Sequence, residues 1–252
     1  MRILVALGGN ALLRRSVAVA AAAVAKLARE HEVMLTHGNG RRAGMVGHVL
    51  ELALRNQLPE RDVVSVLTEV VIAAGDPALL KPSQPIGPVY DERRAQRLRL
   101  DRGWTMGREG GGYRRLVPSP EPHAIAEVRS LRALIDAGAL VVCAGGGVPV
   151  ILDGMGTMHG VEAVVDKDLT AALLARRLDA DLLLMLTDVG AAAGSMAPKV
   201  EAASRFAEAT GRRAAIGALP DAVRVARGEA GTQVVAPAAA PAIAAARRLR
   251  PN

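Results

Sequence analysis

Two lysines and an aspartate stand out for the chemistry they could do together. In VVDKDLTAALLA (164–175), Lys167 lies between Asp166 and Asp168, with apolar residues before it and a helix-like run after it. In GSMAPKVEAA (194–203), Ser195 can cap a helix, Pro198 suits its first turn, and Lys199 follows at once. A lysine in a first turn opposes the helix dipole, which hints at an anion nearby. Lysines placed this way can neutralise a transferring phosphoryl group, and an aspartate beside them can orient them by ion pairing. Phosphoryl transfer needs positioning and charge neutralisation more than covalent chemistry. Taken alone, the first stretch reads equally well as a surface turn in which Asp168 caps a helix over 169–178, and Lys199 as an ordinary exposed lysine.

Three glycine turns supply a complementary chemistry. ALGGNALL (6–13) holds Gly8, Gly9 and Asn10; THGNG (36–40) holds Gly38, Asn39 and Gly40; CAGGGVP (143–149) holds Gly145, Gly146 and Gly147. Each follows an apolar run. Glycines let the backbone approach a ligand closely, Asn10 can cap the next helix, and free N–H groups at a helix start attract phosphate. One such turn is ordinary, whereas three at the ends of separate strands would line a phosphate floor with N–H groups. Neither the Walker sequence nor the dinucleotide fingerprint is present. TDVG (187–190) closes a further strand, where Thr187 and Asp188 could border a nucleotide. His37 reads as a hydrogen-bonded core histidine in preference to a catalytic base. Cys143, the one cysteine, reads as a small buried hydrophobe, which leaves no disulfide framework and no cysteine metal site.

The elements that must position these residues follow from hydrophobic patterning. Strand-like runs cover 2–7, 32–38, 63–72, 139–147, 181–189, 213–219 and 232–237. Several are apolar on successive residues, as in strands covered on both faces. Helix-like segments lie between most of them, at 16–30, 43–57, 123–137, 168–178, 198–210 and 219–228. The alternation predicts an α/β fold, a three-layer αβα sandwich around a mainly parallel open sheet, with ligands beyond the carboxyl ends of the strands. Residues 73–122 break the pattern with prolines, the glycine run 110–112 and three aromatics (Tyr90, Trp104, Tyr113), and read as a small lobe inserted into a single domain spanning 1–252. APAAAPAIAAARRLRPN at the C-terminal end reads as a short helix or a frayed tail.

Composition narrows the function classes. The chain has 252 residues, half of them hydrophobic, so a sizeable core is within reach. The net charge of +7 favours anionic ligands but equally describes a solvated basic surface. Aromatics are only 2%, too few for base-stacking platforms, and no nucleic-acid motif is present, so nucleic acid is not an expected partner. No stretch reaches the ~20 uninterrupted apolar residues of a membrane helix. The start MRILVALGGN lacks the plan of a secretory leader, so a cytoplasmic protein is expected.

VALGGNALL, THGNG, PIGPVY, RRLVPSP, GGGVPV, GVEAVVDKDLTAALLA, DADLLLMLTDV and GSMAPKVEAA, in that succession, resemble the carbamate kinases of the amino acid kinase family. The resemblance runs from Arg2 to about Val235, and VPSP and PIGPVY match the lobe peculiar to carbamate kinases. It implies transfer of a phosphoryl group between ATP and carbamate, giving ADP and carbamoyl phosphate, often run toward ATP during arginine breakdown. Lys167 and Lys199 would neutralise the moving group, Asp168 would orient them, and the three glycine turns would hold phosphates. Where related kinases carry a lysine before the first glycine pair, this chain has Ala6-Leu7, and Lys167 would substitute. Mg2+ would arrive with the nucleotide, since no dedicated metal cage is visible. A homodimer is usual for the family. The chain departs from the pattern at Gln84, where a lobe lysine is expected to reach substrate, at Arg41-Arg42 in place of Pro-Gln, and at Ala73-Ala74 in place of Asp-Pro. Three segments are missing: after GGNALLRR, between about Glu51 and Leu52, and between TDV and GSMAPK. Two other readings stay open, a kinase of another small acid or phosphate, and a non-catalytic nucleotide-binding relative.

Overall fold

Strand and helix alternate through most of the chain. The computed structural model describes residues 1–8, 14–38, 43–187 and 196–237. The chain begins with β1 (Arg2–Leu7), α1 (Arg14–Ala28), β2 (Glu32–His37), α2 (Ala43–Arg55) and β3 (Val63–Val66). The middle contains β4 (Glu69–Val71), β5 (Gln84–Tyr90), α3 (Glu92–Arg102), β6 (Thr105–Glu109), β7 (Gly112–Val117) and β8 (Ala124–Ile125). Then come α4 (Val128–Asp136), β9 (Leu140–Ala144), β10 (Val148–Leu152), β11 (Met158–Gly160), α5 (Lys167–Arg177), β12 (Leu182–Thr187), α6 (Met196–Thr210), β13 (Arg213–Ala218), α7 (Ala222–Arg227) and β14 (Thr232–Val234).

The main sheet has seven strands in the order β14-β13-β12-β1-β2-β9-β3. All its pairings are parallel except that of β14 with β13. Its continuous apolar runs feed two cores at once, because successive side chains point to opposite faces. Ile3, Val5 and Leu7 join one core with residues of α1, α2 and α7. Leu4 and Ala6 join the other, with residues of α4, α5 and α6. β12 divides the same way, with Leu182, Leu184 and Leu186 on one face and Leu183 and Met185 on the other. Each fully buried Leu or Ile contributes about 1.5–3 kcal/mol, so the sheet and its two helical layers form one thick core.

The structure corrects several sequence-based bounds. The run 63–72 is two strands, not one. Val63–Val66 pairs with β9 in the main sheet, while Glu69–Val71 pairs with β10 in a four-stranded sheet ordered β11-β10-β4-β8. The chain changes sheets at Leu67-Thr68, where Leu67 is exposed and the buried Thr68 accepts a hydrogen bond from Val148 N–H through its carbonyl. The segment 123–137 opens with strand β8 before α4 begins. The segment 219–228 opens with a 3-10 turn at Leu219–Asp221, set by Pro220.

Within the stretch 73–122 lie β5, β7 and β6, an antiparallel sheet in that order, and helix α3. Asp91 caps α3 by accepting from Arg94 N–H, and Gly103 closes it in the left-handed conformation. Ala95, Leu98 and Met106, with Tyr90, Trp104 and Tyr113 against them, make a small separate core. The C-terminal stretch expected to be helix or tail lies, from residue 238, outside the described residues. Among the described residues no helix is long and apolar enough to cross a membrane.

Candidate active site

The turn from residue 164 into α5 assigns different work to its two aspartates. Asp166, in extended conformation, is the N-cap: its carboxylate accepts from the N–H groups of Asp168 and Leu169 at 2.8 and 2.9 Å. The helix therefore starts at Lys167, and Asp168 is not the cap that one reading of the sequence made it. Freed of that duty, the Asp168 carboxylate takes one lysine on each oxygen. Lys167 Nζ donates to Oδ1 at 2.7 Å and Lys199 Nζ donates to Oδ2 at 2.8 Å. Asp168 and Lys199 are each 3% exposed.

Packing of α5 against α6 brings the lysines together across 32 positions of sequence. Ala171, Ala172 and Ala175 of α5 and Ala202, Ala203 and Phe206 of α6 share one buried core, and small residues let the helices approach closely. Lys199 sits in the first turn of α6, and the anion its position hints at is present in the chain itself, the carboxylate of Asp168. One carboxylate cannot neutralise two ammonium groups, so the cluster carries a surplus positive charge, with Lys199 buried and Lys167 partly so. Burial, reinforced by Lys199, holds the Lys167 ammonium below its usual pKa against the opposing pull of Asp168. A buried cation in excess is a site for an anion.

The glycine turns meet this cluster unevenly. Gly38 ends β2 against Lys167, and a Cβ there would lie 2.9 Å from Lys167 Cδ, so any larger residue would displace the lysine stem. Gly147 has φ +52°, and a Cβ there would lie 2.8 Å from the Thr68 carbonyl oxygen, so the turn from β9 into β10 needs glycine. Gly146 approaches the Val165 carbonyl in the segment that leads into α5. Gly8 and Gly145 behave differently from expectation. Gly8 N–H donates to Leu186 O at 2.9 Å and Gly145 N–H to His37 O at 2.7 Å. Both amides extend the sheet pairing and are engaged before any phosphate arrives. Thr187 ends β12 beside Gly8. Gly9, Asn10, Asn39, Gly40, Arg41, Arg42, Asp188 and Ser195 lie outside the described residues.

His37 is buried, and its Nδ1–H donates to the Gly38 carbonyl at 2.9 Å. Burial lowers its pKa, which favours the neutral ring. Cys143 is fully buried, and burial with nearby Glu127 pushes its thiol up to about 12. Gln84 is exposed at the first position of β5, opposite Val117. α2 runs unbroken through Glu51 and Leu52. Among the described residues no group of three or more His, Cys, Asp or Glu could hold a metal ion.

One connection escaped sequence reasoning. Arg115 of β7 pairs with Glu162 through two hydrogen bonds of 2.7 and 2.5 Å, and its guanidinium lies 4.2 Å from the Trp104 ring centre. Just beyond β7, Pro118 O accepts from Val164 N–H at 2.9 Å. These contacts tie the small antiparallel sheet to the segment that carries Asp166 and Lys167. The acidic residue in GVEAVV was the available signal, but its partner lies 47 positions away.

Comparison with known proteins assigns the fold to a family. Residues 1–191 match the Amino acid kinase family. The chain is 38% identical to a carbamate kinase of Haemophilus influenzae, over 93% of this chain and 96% of that one. It is 39% identical to one of Rhizobium meliloti, over 92% of each. A solved carbamate kinase from Giardia lamblia bound to AMP-PNP superposes with a TM-score of 0.85 at 30% identity, covering 94% of this chain and 98% of that one. The Haemophilus alignment has 299 positions, whereas 93% of 252 residues is about 234, so about 65 aligned positions have no counterpart here. The chain belongs to the amino acid kinase family.

Proposed function

We propose that the protein is a carbamate kinase, an ATP-dependent phosphotransferase that moves a phosphoryl group reversibly between ATP and the carboxylate oxygen of carbamate. The observation that carries this reading is the Asp168 carboxylate bridging Lys167 and Lys199, two cations on one anion at the carboxyl edge of a parallel sheet. Toward ATP, a β-phosphate oxygen of ADP forms the new P–O bond. The bond from phosphorus to the carbamoyl oxygen breaks, and its electron pair leaves with carbamate. Negative charge on the moving group's oxygens is what Lys167 and Lys199 would stabilise, held in place by Asp168. Gly38, Gly146 and Gly147 would let the phosphates approach, with Gly9, Asn10, Asn39 and Gly40 as further phosphate contacts, Gly8 and Gly145 shaping the turns, and Thr187 and Asp188 bordering the nucleotide. Gln84 would meet the carbamate end as a neutral donor.

Mg2+ would arrive as part of the nucleotide substrate and offset charge on its phosphates. Both Asp168 oxygens already serve lysines, and that fits a metal carried in on phosphate oxygens. A cytoplasmic homodimer acting in arginine catabolism completes the proposal, supported by the likeness to carbamate kinases. The test is ATP formation from carbamoyl phosphate and MgADP, read by a coupled assay. Nucleotide binding without ATP formation would sink the reading and favour a non-catalytic relative. Turnover with a different acyl phosphate, but none with carbamoyl phosphate, would point to another small-acid kinase.

A further inference from the structure

The chain leaves the small antiparallel sheet through β7, and the stem from Arg115 to Glu121 touches both elements that carry the lysines. On one side Arg115 holds Glu162 and Pro118 O accepts from Val164 N–H, three residues ahead of Lys167. On the other side Arg205 of α6, the helix of Lys199, donates from both amino groups to Glu121 at 2.8 and 3.2 Å. Asp76, on the stretch that leads into β5, accepts from Glu121 N–H at 2.9 Å. The incoming and outgoing stems of the sheet are thereby joined, and the outgoing one spans the two catalytic helices.

The two attachments differ in kind. Arg205 and Glu121 are 46% and 57% exposed, and a pair so wet is weak. Arg115 is 16% exposed, its guanidinium lies on the Trp104 ring, and its Nε is buried with no hydrogen-bond partner among the described residues. Burying a donor unpaired costs about 1–3 kcal/mol. That cost accompanies a planar fork laid flat against a carboxylate, which fixes angle as well as distance. The held segment has neither helix nor strand between β11 and α5. Val161 N–H ties its start to Pro149 O at 2.9 Å, and the next two attachments, at Glu162 and Val164, both come from the outgoing stem. The Lys167 stem then threads between Gly38 and Gly145, so a shift of this segment would carry the ammonium away from Asp168. Misplacing a reacting group by about 1 Å can cost about 10²-fold in rate.

We propose that Arg115 and Glu162 are positioning residues of the phosphotransfer site, holding the segment before α5 so that Lys167 meets Asp168 and Lys199. The reaction is that of the phosphotransfer reading, on which this assignment rests. The test compares the intact chain with Glu162→Gln, Arg115→Lys and Glu109→Gln, the last breaking the Arg114–Glu109 pair at the far end of the small sheet. Glu162→Gln and Arg115→Lys should each lower kcat for ATP formation from carbamoyl phosphate and MgADP by roughly 3–10-fold, with KM for MgADP and the denaturant midpoint close to the parent's. Glu109→Gln should match the parent. A second readout follows labelling of lysine amines by acetic anhydride across pH, peptide by peptide. Lys167 labels in the parent with a midpoint below 10.5; in the two strap variants that midpoint should move toward 10.5, while exposed Lys26 keeps its own. With an active parent, an unchanged kcat overturns the assignment, and so does a lower kcat with Lys167 labelling unmoved. An equal fall in Glu109→Gln reduces the effect to loosening of the sheet and overturns it as well. If the parent forms no ATP, the phosphotransfer reading fails and labelling alone decides: a moved Lys167 midpoint upholds the strap, and an unmoved one removes it.

Discussion

Around Asp168, two lysines share one carboxylate, Lys199 buried with it and Lys167 partly open to solvent. Around Trp104 and Tyr113, arginines lie across aromatic faces and pair with carboxylates that stay half in solvent. Asp168 and Lys199 side chains are each 4% exposed, whereas Glu162 is 51% exposed and Glu109 44%. In the small sheet, Arg99 and Arg108 approach the Tyr113 ring and Arg115 the Trp104 ring, so these side chains also act as packing material for a core with few apolar residues. The difference teaches what each charge is for. Exposed pairs contribute little and can be exchanged. A buried cluster with a surplus charge is costly unless it meets a ligand, and a fold that keeps one is built around that ligand.

Removing the shared anion should break the comparison most severely. Asp168→Asn leaves the buried Lys199 ammonium and the partly buried Lys167 without a carboxylate, and the expected loss is about 3–5 kcal/mol of stability in denaturant titration together with loss of ATP formation. A variant as stable as the parent would show that the cluster is not buried as described. Lys167→Ala or Lys199→Ala removes surplus charge and should unfold the chain less than Asp168→Asn does. Turnover should nonetheless drop about 10²–10³-fold, and a change of only a few-fold would refute the roles assigned to the lysines.

On the other side of the comparison, Leu98→Ala hollows the small core at an expected cost of about 2–5 kcal/mol. Hydrogen exchange should show that loosening in residues 84–117 before the main sheet opens, and uniform loosening of the whole chain would mean the two cores are not separable. Raising the pH probes Lys167. Its pKa lies below the ordinary 10.5, so the folded chain binds fewer protons than the unfolded one just below that value and stability rises with pH across the window. Activity, which needs the charged form, should decline on an alkaline limb with its midpoint below 10.5, and a midpoint at or above 10.5 contradicts the burial argument. The smallest effect is expected for Arg115→Lys. Lysine cannot make the paired bonds to Glu162; about 0.2–1 kcal/mol should be lost, with a modest fall in kcat/KM if the strap to Val164 helps seat Lys167. A loss as large as that of Asp168→Asn would erase the distinction between the two kinds of charge.

Lys167, Lys199 and Asp168 were legible in the sequence because DKD and APK sit at strand-to-helix turns, where composition and helix-dipole arguments apply locally. The alternating fold was legible for a similar reason, since continuous apolar runs require cover on both faces. The break at Leu67-Thr68 was not, because VVSVLTEVVI has no glycine, proline or asparagine to mark a turn, and only the partner strands β9 and β10 assign its halves to different sheets. The amides of Gly8 and Gly145 were misjudged for the same reason: a glycine turn looks equally free whether its N–H faces a ligand or the next strand. The elements β5, α3, β6 and β7 were hidden by prolines and by an arginine-rich helix whose apolar face is only Ala95 and Leu98.

The sequence by itself determined which residues could carry phosphoryl chemistry and that a parallel sheet would present them at its carboxyl edge, since residue type, turn chemistry and hydrophobic period are local properties. Only the tertiary structure decided that Asp166 caps the helix and so leaves Asp168 to join two lysines 32 residues apart. That choice depends on the packing of α5 against α6, and no local pattern encodes which carboxylate oxygen will face which ammonium.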